Sequence, residues 1–275
     1  MSYLGKYLKM PPTFEKLQKL EKVIEKEGYS LDGDLSLCLQ LDFPHYEVTP
    51  YDAIPFANIG CDGIHYGFLT DFGRVSDLEN AFIVCISPMD DFDAHIKIVA
   101  RNIREFVSLV CTMKGAAEIS NFNLIKEEEQ YISLFKELKK EVDEEYEEQA
   151  NYVVEKIIST IGCEVIEDVY HYVEKEVITA RENQTMLSTL DGIGIVSLDS
   201  MNSKHHIYKL EKDMKINLED VKSFFNTATR ESKLAFIRDV QFTYLISDEI
   251  KLKELVINEM IKLGLNDEAE RLKKI

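Results

Sequence analysis

The sequence predicts an α+β fold: a twisted, mostly antiparallel sheet packed by helices, followed by a largely helical C-terminal extension or second domain. Three observations predict it. Leu35, Leu37, Leu39 and Leu41 alternate with Ser36, Cys38 and Gln40, the period of a strand with one face buried. Between residues 52 and 99, short apolar runs are separated by turn-rich loops, as in an antiparallel meander. Beyond about residue 120 apolar residues recur mainly at helical spacing.

The elements follow in order. Thr13 can cap a first helix whose stripe is Phe14, Leu17, Leu20, Val23 and Ile24, and Gly28 can stop it. Asp32-Gly33 signals a turn before the alternating strand. Ile54-Pro55-Phe56 is a short extended piece, because proline cannot donate to a ladder. Residues 58–63 are a turn-rich link and 64–70 a strand. The continuous apolar run 82–86 predicts a strand covered on both faces. An acidic loop, 89–93, leads to a strand over 96–99. Asn102 and Glu105 have the spacing of a capping box, opening a helix with Phe106, Leu109, Val110 and Met113 on its buried face. Ile132, Phe135, Leu138 and Val142 keep a helical stripe through a charge run. Residues 164–178 read as helical despite many β-branched residues. Two strands are expected at 191–198 and 206–210, then helices over 218–225, 234–246, 250–263 and 267–272. The change of texture near Asn121 divides the chain into an expected domain at 1–120 and a mainly helical part at 121–275, with its two short strands near 191–210.

The 275 residues can bury a sizeable core without disulfides or metals. Lys plus Arg is 32 against 50 Asp plus Glu, a net charge of −18. Such a chain is repelled by nucleic acid backbones and anionic membranes and attracts basic proteins. Within 126–150, lysine stands at four positions and an acid at ten, which is either a solvated helix face or a docking surface for a cationic partner. The five cysteines are widely spaced with no C-x-x-C, so zinc ribbons are unsupported and reduced thiols suit the cytosol. Residues 1–14 lack the apolar stretch of a signal peptide, and 82–86 is far too short to cross a bilayer. These features predict a cytoplasmic protein.

No catalytic signature stands out. Asp62, His65 and Asp71 place two carboxylates and an imidazole around an expected hairpin, where they could bind a metal, act as a base with its orienter, contact a partner or be structural. Asp90, Asp91, Asp93 and His95 resemble the start of a calcium loop, but the sixth-position glycine and twelfth-position glutamate are missing. His205 and His206 are adjacent, so on a strand they would point to opposite faces. Gly192-x-Gly194 lacks the rest of a dinucleotide fingerprint, and there is no Walker A, G-x-S-x-G or H-E-x-x-H sequence. Neither a cofactor nor a metal is expected.

The segment Ile54-Pro55-Phe56-Ala57-Asn58-Ile59-Gly60-Cys61-Asp62-Gly63 resembles the strand–turn–strand of the SUKH superfamily, which includes fungal cell-wall regulators and bacterial immunity proteins. Val99-Ala100-Arg101-Asn102-Ile103-Arg104-Glu105-Phe106 is similar to a second family element, and the helix over 14–27 fits in order. The resemblance covers roughly the first 115 residues. The family's L-P-x-x-Y segment is absent, with Phe43-Pro44-His45-Tyr46 only an echo. The resemblance implies a sheet packed by the 14–27 and 102–113 helices, and a binder rather than an enzyme, of immunity type, directed against a toxin that is often a nuclease. The partner is then expected to be a basic protein, met by the loop acids Asp62, Asp71, Asp90, Asp91 and Asp93 with His65 beside them. The alternatives are an intracellular regulatory scaffold and a metal-assisted hydrolase using Asp62, His65 and Asp71.

Overall fold

The computed structural model describes residues 4–7, 9–41, 43–138, 140, 144–197, 204–210 and 215–275. Val142 and Leu198, counted above in a stripe and a strand, lie outside them.

Helix α1 (Pro12–Ile24) begins without a side-chain cap of its own. Thr13 instead donates its hydroxyl to Glu79 Oε1 (2.5 Å), while its backbone N–H donates to Glu79 Oε2 (3.0 Å). A carboxylate from a distant loop thus satisfies the orphan N–H group, which local spacing could not reveal. Gly28, at φ 91°, ends the helical run as expected. Asp32-Gly33 is not a turn but lies within α2 (Leu31–Leu35), capped by Ser30, whose hydroxyl accepts from Gly33 N at 2.7 Å. The strand expected over 35–41 therefore shrinks to β1 (Cys38–Leu39).

The sheet continues with β2 (Ala53–Asn58), β3 (His65–Leu69), β4 (Ile83–Ile86) and β5 (Ile96–Ala100), in spatial order β1-β2-β3-β4-β5 with every pair antiparallel. Pro55 stands in an interior strand where the register shifts between it and Ala57, a bulge, which is one of the places in a sheet that tolerates a residue without an N–H. The 82–86 run behaves as predicted: Ile83 and Cys85 join one core while Val84 and Ile86 join another. The first face carries Phe56, Tyr66 and Phe68 against α1 and α3 (Ile103–Met113), with Phe56 edge-on to Phe14 and Phe106. Asn102 caps α3 as the spacing predicted, its Oδ1 accepting from Glu105 N at 3.0 Å.

Next come α4 (Ala116–Ser120), α5 (Glu128–Leu138), α6 (Glu144–Ile161), a π-helical segment (His171–Val177) and α7 (Ile178–Glu182). The helix expected at 164–178 forms only from about Val169. The boundary placed near Asn121 does not coincide with a break in the core. Tyr131, Val153, Ile157, Val173 and Val177 pack into the same apolar cluster as α1, α3 and the sheet. A change of surface charge, not of core, produced the change of texture.

The layer on the opposite face is built later in the chain. Its hairpin pairs β6 (Thr185–Leu187) with β7 (Ile195–Val196), so the strand expected over 191–198 is present but shortened and pairs with an earlier segment, while 204–210 form no strand. Helices α8 (Leu218–Thr227), α9 (Arg230–Phe242), α10 (Leu245–Asp248), α11 (Ile250–Lys262) and α12 (Asn266–Lys274) complete it. α9 is buried nearly all round, with Leu234, Ile237 and Val240 in the helical core and Phe242 against the sheet face of Ala53, Val84 and Ile86. Helices thus cover both faces of the sheet. Among the described residues no helix is long and apolar enough to cross a membrane.

Candidate functional site

Antiparallel connectivity sends the β2–β3 and β4–β5 connections to one end of the sheet and the β3–β4 connection to the other. Asp62 and the trio Asp90, Asp91 and Asp93 are thereby gathered at one end, although nearly thirty residues separate them. Asp62, Asp91 and Asp93 are exposed and Asp90 half-buried, beside an exposed Met89.

Each of these loops is pinned at its root by a buried histidine. In the first, Cys61 O accepts from Ile64 N (3.1 Å), with Asp62 at φ 51° and Gly63 at φ 68°. Positive φ at both central positions is the signature of a type I′ turn, for which Asp-Gly is well suited. Gly63 is also required sterically, since a Cβ there would stand 2.4 Å from the Tyr46 ring. His65 Nδ1 lies 2.7 Å from Gly63 O, and its Nε2 lies 3.1 Å from Thr49 Oγ1. Gly63 O can only accept, so Nδ1 carries the proton, and in the neutral ring Nε2 accepts from the Thr49 hydroxyl, whose oxygen also accepts from Tyr46 N (3.0 Å). The second loop repeats the device. His95 Nδ1 donates to Ser87 O (3.1 Å), and Nε2 faces the Tyr244 hydroxyl at 3.1 Å. The imidazole of His65 is fully buried, so it is a clamp under the acidic turn and not itself a contact or a base at the surface.

Burial lowers His65 to about pKa 4, and burial with nearby Arg271 lowers His45 to about 3. A base whose folded pKa lies below its unfolded value stabilises the fold above about pH 6.5, and that contribution is lost as pH falls toward the folded value. Asp239, raised by burial to about 6, acts oppositely, adding stability as pH falls from about 6 toward 4. Glu21, Asp52, Glu118 and Glu268, also raised by burial, act in the same direction as Asp239. In urea unfolding, His65 should by itself contribute a loss of about 2 kcal/mol between pH 7 and 5. His65→Asn should be less stable at pH 7 but have a shallower slope; an unchanged slope would remove His65 from this account.

Asp71 is placed elsewhere and corrects the expectation that it presents a carboxylate to a partner. It follows β3 at the far end of the sheet, roughly 20 Å along the chain from His65. It is buried, and its two oxygens accept from Arg181 Nη2 and Nη1 at 2.8 and 3.0 Å. Asp62, His65 and Asp71 consequently do not converge, which removes the three-residue hydrolytic arrangement. Among the described residues no group of three or more His, Cys, Asp or Glu is arranged to hold a metal ion.

Around Asp71 lies a buried charge hub that sequence reasoning missed. Arg238, midway along α9, donates to Asp52 Oδ2 (2.7 Å) and Asp191 Oδ2 (3.2 Å). Arg181 also donates to the carbonyls of Ile193 and Gly194, tying the β6–β7 loop to the sheet end. The chain beneath is strained: Asp71, Phe72 and Gly73 all have positive φ. It is held by Phe72 N donating to Asp52 Oδ2 (3.2 Å) and by the Phe72 ring lying 5.1 Å from the Arg238 guanidinium. Burial raises the Asp52 carboxyl, with Arg238 opposing. Burial also works against charge on Arg238, but Asp52, Asp191 and Asp71 hold it above its ordinary value. Asp52 Oδ1 and Arg238 Nε have no hydrogen-bond partner, so the hub is tight but not fully satisfied. A cleft of about 350 Å³ between β5, α7 and the 188–194 loop reaches Arg181 and Asp191, whose polar groups are committed to the pairs just described.

No protein-family model matches the chain, and no curated protein matches it.

Proposed function

We propose that the chain is a non-enzymatic protein-binding module of immunity type, which neutralises a basic toxin, a nuclease being the leading class, by covering it with the acidic end of the sheet. The observation that carries this reading is the gathering of Asp62, Asp90, Asp91 and Asp93 at one end, on loops fixed by buried histidines. A preformed face loses little conformational entropy on binding, and a surplus of negative charge raises the association rate with a cationic partner. The net charge of −18 and the SUKH resemblance of the β2–β3 segment point the same way. The buried guanidinium groups, each committed to carboxylates, lie at the opposite end of the sheet and leave this face to the loop acids.

A regulatory scaffold is the second reading, favoured by the exposed Leu124 and Ile132 along the acidic α5 region. Gene neighbourhood separates the two, since a toxin gene alongside favours immunity and a solitary gene favours regulation. The direct test is retention of the products of adjacent genes on the immobilised chain at low and high salt. A basic polypeptide should be held at low salt and released as salt rises; retention of none at low salt would count against the proposal.

A further inference from the structure

On α3, Arg104, Ser108, Cys111 and Thr112 are spaced i, i+4, i+7 and i+8 and so share one stripe of the helix. The chain leaving α6 runs along that stripe. It turns at Gly162, φ 74°, and is stitched at two points: Arg104 Nη1 donates to Gly162 O (3.1 Å), and Ile166 N donates to Thr112 Oγ1 (2.8 Å). Between the stitches, Cys163 is set against Cys111 and Ser108 of the stripe. Both cysteines are unbridged and buried within the same apolar cluster, at 5% and 3% exposure. Two thiols held against each other by neighbouring backbone anchors need little movement to bond.

We propose that Cys111 and Cys163 form a redox-active dithiol, closed by peroxide to a disulfide that ties α3 to the segment following α6.

Cys163 is the sulfur that reacts first. Its interaction with Cys111, aided by its own backbone N–H, Ser108 and Arg104, favours its thiolate against the opposing effect of burial, whereas Cys111 is pushed up by the same interaction and by burial. The Cys163 thiolate attacks one oxygen of hydrogen peroxide. An S–O bond forms, the O–O bond breaks, and the departing hydroxide takes a proton to become water. Cys111 sulfur then attacks the Cys163 sulfenic acid. The S–S bond forms, the S–O bond breaks, and the hydroxyl leaves as a second water carrying the Cys111 proton. Two electrons pass from the sulfurs to the peroxide, and a dithiol reductant reverses the change.

The test uses the full chain bearing Cys61→Ser, which removes the exposed thiol. After hydrogen peroxide and non-reducing proteolysis, mass spectrometry should find the Cys111 peptide joined to the Cys163 peptide, lighter by two hydrogens and separated by dithiothreitol. The thermal midpoint of the oxidised chain should rise, because the bond closes a long loop in the unfolded state. In a Cys111→Ser chain, Cys163 should be trapped by dimedone as the sulfenic acid, while in Cys163→Ser, Cys111 should remain unlabelled. Failure of the link to form in the folded chain, or its appearance only after urea, would overturn the proposal, whatever the folding of the serine variants.

Discussion

Replacing Arg238 with methionine is expected to cost about 3–5 kcal/mol of folding stability, the range for removing one partner of a buried ion pair. The guanidinium is 2% exposed and stands between the Asp52 and Asp191 carboxylates, which are 0% and 2% exposed in their side chains. Without it, two negative groups remain buried near each other, and the packing of Phe72 is lost. The sign with pH distinguishes this from a simple cavity. Loss of the positive charge pushes the folded-state Asp52 carboxyl further up, so the variant should regain stability relative to the wild type as pH is lowered and that group takes up a proton. Adding Asp52→Asn and Asp191→Asn to the variant should recover part of the loss at pH 7. Urea midpoints for the wild type, the single variant and the triple variant measure this directly. A loss below about 1 kcal/mol would show that the hub contributes little.

Arg181→Leu is the second large effect, also about 3–5 kcal/mol. It strands Asp71 and releases the carbonyls of Ile193 and Gly194 together. Asp71 and Phe72 then keep a left-handed backbone without the bidentate pair that holds it. Asp71→Asn alone should also destabilise, by leaving Arg181 uncompensated. The double variant should lose about 1–3 kcal/mol less than the sum of the singles. The consequence should be local as well as global. Amide hydrogen exchange should quicken over 185–196, where the hairpin rests on this pair, while α3 on the opposite face stays protected until global unfolding. Equal quickening on both faces would mean that Arg181 does not fasten the hairpin specifically.

What the sequence made legible was local. The Asn102–Glu105 spacing, the Asp62-Gly63 turn and the apolar run of β4 each depend on neighbours in the chain, and the structure places each where the pattern predicted. Asp32-Gly33 failed because an Asp-Gly pair also fits a first helical turn when Ser30 precedes it as a cap. Of the strands expected near 191–210, the first is present only as Ile195–Val196 and the second does not form, because the pairing partner is Thr185–Leu187, a strand too short to show alternation. The hub was invisible because its pairs join Asp71 to Arg181 and Asp52 to Arg238, across 110 and 186 residues of chain. One signal was nevertheless present. Arg238 sits among Phe236, Ile237 and Val240 of a core helix, and a cation flanked by such residues requires a buried anion. The acids of the sheet end were all visible as residues, but their convergence followed only from strand order, and strand order separated Asp71 from the rest.

The most direct measurement is the association rate of a captured basic partner with the wild-type chain and with the Asp62→Asn, Asp90→Asn, Asp91→Asn, Asp93→Asn quadruple variant, taken across a salt series. If the acidic end is the contact face, the variant should associate about tenfold to a thousandfold more slowly at low salt, and the difference should shrink as salt is raised. Its fold should be unchanged, since three of the four side chains are exposed and the fourth half-buried. Equal rates for the two proteins at every salt concentration would place the binding face elsewhere and contradict the account.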